Sequence, residues 1–150
     1  MKVIKIFSLL LILLVVGCGK KEYMTCNIEV NNNIENYKQV STYKVYYKNN
    51  YVNKIEKEDE YKSNNKNTIE YLKELNSLLY YDLSDKYGGV IYDINTSDDT
   101  IKIKSTIDLE SFDIKKYASD DKIDDRYVVG RKLLKSGIKK IYEEKGATCK

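Results

Sequence analysis

The chain has 150 residues, of which 26 are basic and 23 acidic, and it contains no histidine. The absence of histidine excludes Ser-His-Asp and Cys-His catalytic sites and removes the commonest metal ligand. Lys2 and Lys5 lie in a segment that we expect to be removed, which leaves 24 basic residues against 23 acidic ones. This balance argues against a nucleic-acid partner, and the remaining length suits one domain.

An apolar run from Ile6 to Val16 follows Lys2 and Lys5. It is too short to span a bilayer and has a positively charged leading end, as secretory signal peptides do. The run closes on Val15-Val16-Gly17-Cys18, which matches a bacterial lipobox, where the cysteine receives a diacylglycerol and becomes the first residue. An uncleaved anchor, or an ordinary signal peptide with a chance cysteine, is the alternative.

We therefore predict three segments. Residues 1–17 are a lipoprotein signal peptide, residues 18–23 are a tether lipidated at Cys18, and residues 24–150 are a single α+β domain. The tether carries Lys20 and Lys21, each of which could add roughly 1 kcal/mol of attraction to anionic lipid. The expected location is the extracytoplasmic face of the cell membrane, held there by the lipid anchor.

Met24 to Val30 alternates apolar and polar residues, which predicts a half-buried strand with Cys26 on its inner face. Cys26 and Cys149 are the cysteines that remain when Cys18 is lipidated. Export to an oxidising compartment favours a disulfide between them, and two free thiols are the alternative. A bridge closing such a long loop would be worth up to about 4–5 kcal/mol.

Residues 37–47 and 51–61 are rich in tyrosine and β-branched residues, so they predict a β-hairpin. A three-residue loop, Lys48-Asn49-Asn50, would place Tyr43 opposite Ile55 and gather apolar side chains on one face. A two-residue Asn-Asn loop would instead place Tyr43 opposite Glu56. Pairing of apolar faces favours the three-residue loop.

A helix capped by Asn67 is predicted next, with Glu70 completing a capping box. Its apolar stripe, expected to pack on the sheet, consists of Ile69, Leu72, Leu75, Leu79 and Leu83. Gly88-Gly89 ends it, and a second hairpin follows with a two-residue Asp98-Asp99 turn. That turn sets Ile94 opposite Ile103 and Val90 opposite Ile107.

The C-terminal part is less regular. We expect a charged loop from Leu109 to Asp125 with one helical turn around Phe112 to Tyr117, whereas Arg126 to Leu134 fits a strand or a helix. The aspartates between Asp120 and Asp125 do not match the ligand spacing of an EF-hand, so no metal is predicted. Ser136 is expected to cap a short final helix, and Gly146 to end it in a left-handed conformation.

The fold class that results is α+β, with an antiparallel sheet of about five strands covered by one longer helix and a short C-terminal helix. The chain resembles the YehR-like family of small bacterial lipoproteins, a family of unknown function. The resemblance is carried by Gly17-Cys18-Gly19-Lys20-Lys21, Thr25-Cys26, Gly88-Gly89-Val90-Ile91-Tyr92 and Gly146-Ala147-Thr148-Cys149. It implies an α+β fold with an antiparallel sheet, and it implies no catalytic residues.

The leading functional hypothesis is a non-enzymatic surface lipoprotein that binds an envelope protein or peptide through its sheet or through the Leu109 to Asp125 loop. No nucleophile-base pair, metal-ligand cluster, cofactor motif or phosphate-binding glycine loop is visible in the sequence. The alternative is a small hydrolase that uses paired carboxylates on envelope polymers. A two-lobed solute receptor would need a longer chain than this.

Overall fold

The structure is a computed structural model that describes residues 22–150. One antiparallel sheet, with spatial order β4-β5-β3-β2-β1-β8, forms its framework. The strands are β1 (Glu22–Asn32), β2 (Tyr37–Lys48), β3 (Tyr51–Lys62), β4 (Val90–Thr96), β5 (Thr100–Asp108), β6 (Val128–Val129), β7 (Lys132–Leu134) and β8 (Thr148–Cys149). The short β7 pairs with β3 and with β6.

Within residues 22–150, three α-helices lie on one face of this sheet: α1 (Lys66–Tyr87), α2 (Ile114–Ser119) and α3 (Lys135–Glu144), with a short 3₁₀ helix at Asp125–Tyr127. Tyr80 of α1 stacks on Tyr92 of β4, and Tyr142 of α3 stacks on Tyr43 of β2. Helix α1 therefore covers the β4 side of the inner face, and α3 covers the β2 side. Among the described helices, none is long and apolar enough to cross a membrane.

The α+β class and the antiparallel sheet are confirmed, but the prediction of about five strands is wrong, because the sheet has eight. The five long strands match the predicted ones, and the three additional strands have two or three residues each. Strands this short show no alternation in sequence, and only their partners in the sheet define them. The segment that fitted strand or helix, Arg126 to Leu134, forms part of the 3₁₀ helix and the β6-β7 hairpin.

The predicted register of the first hairpin is wrong. Asn49 and Asn50 form a two-residue turn, both with positive φ, which a type I′ turn requires. Tyr47 pairs with Val52 and Tyr46 with Lys54, so Asn53 is an extra residue in β3. Because of this bulge, residues on the inner face of β2 again lie opposite residues on the inner face of β3, and Val45 pairs with Ile55. The second hairpin has the predicted register, with Ile94 opposite Ile103 and Val90 opposite Ile107.

Helix α1 begins two residues earlier than predicted, and its buried face matches the predicted stripe only at Ile69 and Leu72. Asn65, not Asn67, is the N-cap, and its side chain accepts a hydrogen bond from the Asn67 N–H. The buried residues are Ile69, Leu72, Asn76, Tyr80 and Tyr87, whereas Leu75 is 47% exposed and Leu79 is 51% exposed. The predicted apolar stripe of α1 is wrong because Tyr80, which fills the centre of the core, shares the buried face with the polar Asn76.

The predictions for the ends of the two shorter helices are partly right. Helix α3 begins at Lys135 after Leu134 and has no side-chain cap, so the predicted cap at Ser136 is wrong. Its buried face includes Ile138 and Tyr142. Gly146 has φ +90, which confirms the left-handed ending, and the predicted turn around Phe112 to Tyr117 is the six-residue helix α2.

Candidate functional site

A half-open cleft of about 800 Å³ lies at the end of the sheet where β2 turns into β3. We call it the turn-end cleft. Its walls are the β2-β3 turn, the loop between β5 and α2, and the β6-β7 hairpin. The lining residues include the apolar Val52, Leu109, Phe112 and Ile114 and, at the rim, Lys48, Glu110, Asp113, Arg131 and Lys132.

The bulge at Asn53 builds one wall of this cleft. Its carbonyl accepts a hydrogen bond of 2.9 Å from the N–H of Leu109, which starts the β5-α2 loop. Gly89 (φ +63) lies against the same loop, and a Cβ there would be 2.6 Å from Phe112 N and 2.7 Å from Asp108 O. The loop is thus held by backbone contacts that a side chain at Gly89 would break.

Two cations near the cleft lie over tyrosine rings. The Nζ of Lys135 lies 3.7 Å from the ring centroid of Tyr47, and that of Lys132 lies 5.1 Å from that of Tyr51. Within residues 22–150, no ion pair involves Lys48, Arg131, Lys132 or Lys135. Their charges are therefore available to an anionic ligand, at some cost in lost cation-π contact.

The two acids of the cleft have different surroundings. Asp113 is the N-cap of α2, where its side chain accepts from the Lys116 N–H, and Glu110 is exposed on the loop. A glycosidase-type reaction needs two carboxyls that flank a scissile bond, with one of them able to deliver a proton. The structural role of Asp113 in the helix cap leaves Glu110 without such a partner in the cleft.

A second polar cluster lies under α1, on the inner face of β3. The Asp59 side chain is fully buried, and its Oδ2 lies 2.7 Å from the Nζ of Lys57, whose side chain is 23% exposed. Asp59 also accepts hydrogen bonds from Ser41 Oγ at 2.5 Å, Tyr80 OH at 3.4 Å and Gln39 Nε2 at 3.5 Å. The carboxylate thus has a charged partner and three donors.

The electrostatics of this buried network follow from its isolation from water. Burial alone would lower the pKa of Lys57, but the Asp59 carboxylate outweighs that effect and raises the pKa above its ordinary value. Burial also raises the pKa of Tyr80 and of Tyr61, whose hydroxyl donates to Asn76. Lys57 is therefore cationic at neutral pH and both tyrosines are protonated, which is the arrangement of a satisfied structural network.

Comparisons with known proteins bear on the fold. No protein-family model and no curated protein matches the chain. Among solved structures, the chain is similar to the NMR structure of the E. coli YehR protein, with a TM-score of 0.55 and 14% identity over 87% of this chain and 92% of that chain. This chain has a YehR-like fold. The resemblance drawn from sequence is confirmed at the level of the fold.

The chain is also similar to a solved structure of a protein from Streptococcus pneumoniae TIGR4. Its NMR structure matches with a TM-score of 0.51 and 13% identity, over 89% of this chain and 88% of that chain. The YehR structure was a structural-genomics target, and neither title names an activity or a ligand. At these identities the similarity defines the fold alone.

The structure places the predicted site residues of this YehR-like chain as follows. Cys18, the predicted lipidation site, lies outside the described residues. Cys26 and Cys149 are joined by a disulfide, with their Cα atoms 4.0 Å apart, as predicted. Cys149 reaches Cys26 because β8 pairs with β1. No catalytic, cofactor or metal residue was predicted, and residues 22–150 contain no cluster of three or more metal-ligating side chains.

The buried Lys57-Asp59 pair was not among the predicted features. The pattern was visible, because Lys54, Glu56, Glu58 and Glu60 were predicted to face water, which places Ile55, Lys57, Asp59 and Tyr61 on the inner face of β3. A charged pair at two inner positions indicates a buried ionic network. The turn-end cleft had no comparable pattern, because its walls come from three segments distant in sequence.

Proposed function

We propose that this protein is a lipid-anchored, non-enzymatic binding module on the extracytoplasmic face of the cell membrane. The observation that carries the proposal is the turn-end cleft, which combines an apolar floor with cations that have no carboxylate partner among the described residues. A concave apolar site with a few convergent polar groups is the usual form of a binding site. The anchor is supported by the lipobox sequence at Cys18.

The non-enzymatic part of the proposal rests on how the acids are used. Asp59 faces Lys57 and is enclosed, so a substrate does not reach it. Asp113 is engaged in the cap of α2, and Glu110 is exposed on the β5-α2 loop. These arrangements favour binding of an envelope protein, peptide or other anionic ligand over carboxylate-based hydrolysis.

The anchor is tested by replacing Cys18 with serine in the full-length chain expressed in bacteria. We expect the wild-type protein to fractionate with membranes and to carry a diacylglycerol by mass spectrometry. The Cys18→Ser variant should remain as an uncleaved precursor or leave the membrane fraction. Unchanged mass and fractionation would show that Cys18 is not the lipidation site.

The cleft is tested by placing a photo-crosslinking residue at Asn53, in the bulge that lines it, and separately at Asn95, an exposed asparagine on β4. Crosslinking on intact cells should give a discrete adduct from Asn53 and none from Asn95. Equal adducts from both positions, or none from Asn53, would place the binding surface elsewhere.

A further inference from the structure

The cationic rim of the turn-end cleft lies close to the point where the described chain begins. In one row across the sheet, Glu22 pairs with Tyr47, Tyr47 with Val52, and Val52 with Leu133. Neighbouring strands are about 4.8 Å apart, so the Cα atoms of Glu22 and Val52 are separated by roughly 10 Å. Val52 lines the cleft, which therefore opens beside the start of β1.

The predicted anchor is also near this point. Three residues, Gly19, Lys20 and Lys21, separate Cys18 from Glu22. A fully extended chain spans at most about 3.5 Å per residue, so the Cα atom of Cys18 lies no more than roughly 14 Å from that of Glu22. A lipid on Cys18 would hold this end of the sheet within a short distance of the headgroups.

Tyrosines flank the same end on the outer face of the sheet. Tyr23 is 51% exposed, and the Nζ of Lys44 lies 4.4 Å from its ring centroid. The Nζ of Lys54 lies 4.1 Å from the ring centroid of the neighbouring Tyr46. Tyrosine, lysine and arginine are the residues that favour the headgroup region of a bilayer, because each has an apolar stem or ring and a polar end.

The opposite end of the sheet has a different character. The loops at residues 33–36, 63–65 and 97–99 contain no basic residue, and they carry Glu35, Asp98 and Asp99. They lie together, since Asn36 donates to Asn64 and the Ser63 N–H donates to the carbonyl of Asp99. The cleft, the cations without a carboxylate partner and the predicted tether thus lie at one end, whereas Lys38 and Lys62, beside the far loops, are paired with Glu29 and Glu60.

We infer that the turn-end surface, formed by Tyr23, Lys48, Arg131 and Lys132, docks on the bilayer that holds the anchor and binds the phosphates of anionic phospholipids. The acids Glu110 and Asp113 line the same cleft from the β5-α2 loop, and the Asp113 side chain is engaged in the cap of α2. The inference depends on the proposed function for the presence of the lipid anchor. The docking surface itself lies within residues 22–150.

The chain contains no tryptophan, so one introduced indole reports its own environment. We would make Tyr23→Trp at the docking end and Ile34→Trp, a position that is 97% exposed, at the far end. The purified lipid-anchored protein is placed in vesicles of phosphatidylcholine, alone or mixed with phosphatidylglycerol, that contain brominated acyl chains as quenchers. The inference predicts strong quenching for Tyr23→Trp in the mixed vesicles, weak quenching in phosphatidylcholine, and little quenching for Ile34→Trp in either.

The rim is tested in the Tyr23→Trp background by Lys48→Gln with Lys132→Gln. The matched control is Lys102→Gln with Lys104→Gln, two exposed lysines on β5. Each basic residue near an anionic surface contributes roughly fivefold to binding, so the rim pair should lower the docking equilibrium about 25-fold, and the control pair much less. Added salt should act in the same direction as the rim pair.

Equal quenching in both vesicle types, equal quenching at Tyr23→Trp and Ile34→Trp, or equal effects of the two lysine pairs would overturn the inference. The mass of the purified protein separates this failure from failure of the proposed anchor. If Cys18 is unmodified, the anchor is wrong, and co-sedimentation of the unanchored chain with phosphatidylglycerol vesicles still decides whether the turn-end surface docks.

Discussion

The buried ion pair of Lys57 and Asp59 allows a sharp test of the structure. Asp59→Asn keeps the size of the side chain and removes its charge. The ammonium of Lys57, now 2.7 Å from a carboxylate oxygen, would then lie beside a neutral amide under α1. Ser41 and Tyr80, which donate to the two carboxylate oxygens, would have to share a single amide oxygen.

Removing one partner of a buried pair costs about 3–5 kcal/mol, because the other charge stays buried without compensation. The Lys57 side chain is 23% exposed and can turn partly toward water, so we expect the lower end, about 3 kcal/mol. For a domain of this size that corresponds to a fall in melting temperature of roughly 10 °C. The exposed pair of Glu60 with Lys62 should contribute under 1 kcal/mol.

The pH dependence gives an independent readout. In the wild type, folding raises the pKa of Lys57 above 10.5, so its contribution to stability is complete below pH 10.5 and is lost as pH rises through the folded pKa. In Asp59→Asn, burial remains without the carboxylate, and the folded pKa should fall below the unfolded one. The unfolded chain then binds more protons, so stability relative to the wild type should rise as the pH approaches 10.5.

The assay is urea unfolding of the mature protein between pH 6 and roughly pH 10 for the wild type, Asp59→Asn and the control Glu60→Gln. Lys57→Met in the Asp59→Asn background removes the stranded charge and should recover part of the loss. If Asp59→Asn cost no more than Glu60→Gln, or if its loss did not change with pH, the pair would not be the buried network described.

Three further outcomes are expected. Cys149→Ser should lower the free energy of unfolding by up to about 4–5 kcal/mol, and the native unreduced domain should show no reactive thiol at Cys26 or Cys149 on labelling. Leu72→Ala should cost about 2–5 kcal/mol and Leu75→Ala less than about 1 kcal/mol in the same assay, because only Leu72 is buried; equal losses would contradict the orientation of α1. Gly89→Ala should cost well over 2 kcal/mol, whereas Gly130→Ala, with a similar φ but open space around it, should cost about 1–2 kcal/mol; similar values would mean that the β5-α2 loop is not packed on Gly89.

Local sequence patterns were sufficient to predict the long secondary-structure elements. Alternation between Val90 and Ile107 defined both strands of the second hairpin and their register, because a two-residue turn leaves one way to pair the apolar faces. The polar outer face of β3 and the inner position of Cys26 followed from the same alternation of side chains. The likeness to the YehR-like family was also visible in short motifs near the ends of these elements.

Tertiary contacts decided what the patterns left open. In the first hairpin, Asn49 and Asn50 form a two-residue turn. The bulge at Asn53 then brings the inner side chains of β2 and β3 opposite each other again, and counting residues from the turn does not predict this bulge. On α1, Tyr80 and Asn76 replace Leu75 and Leu79 on the buried face, because the Lys57-Asp59 network needs the Tyr80 hydroxyl above it. The turn-end cleft joins a turn, a loop and a hairpin that are distant in sequence, so its shape exists only in the folded sheet. The sequence by itself determined the class, the long strands, the register of the second hairpin and the cysteine pair, since these depend on local periodicity and on composition. The register of the first hairpin, the orientation of α1 and the cleft depend on which distant side chains meet.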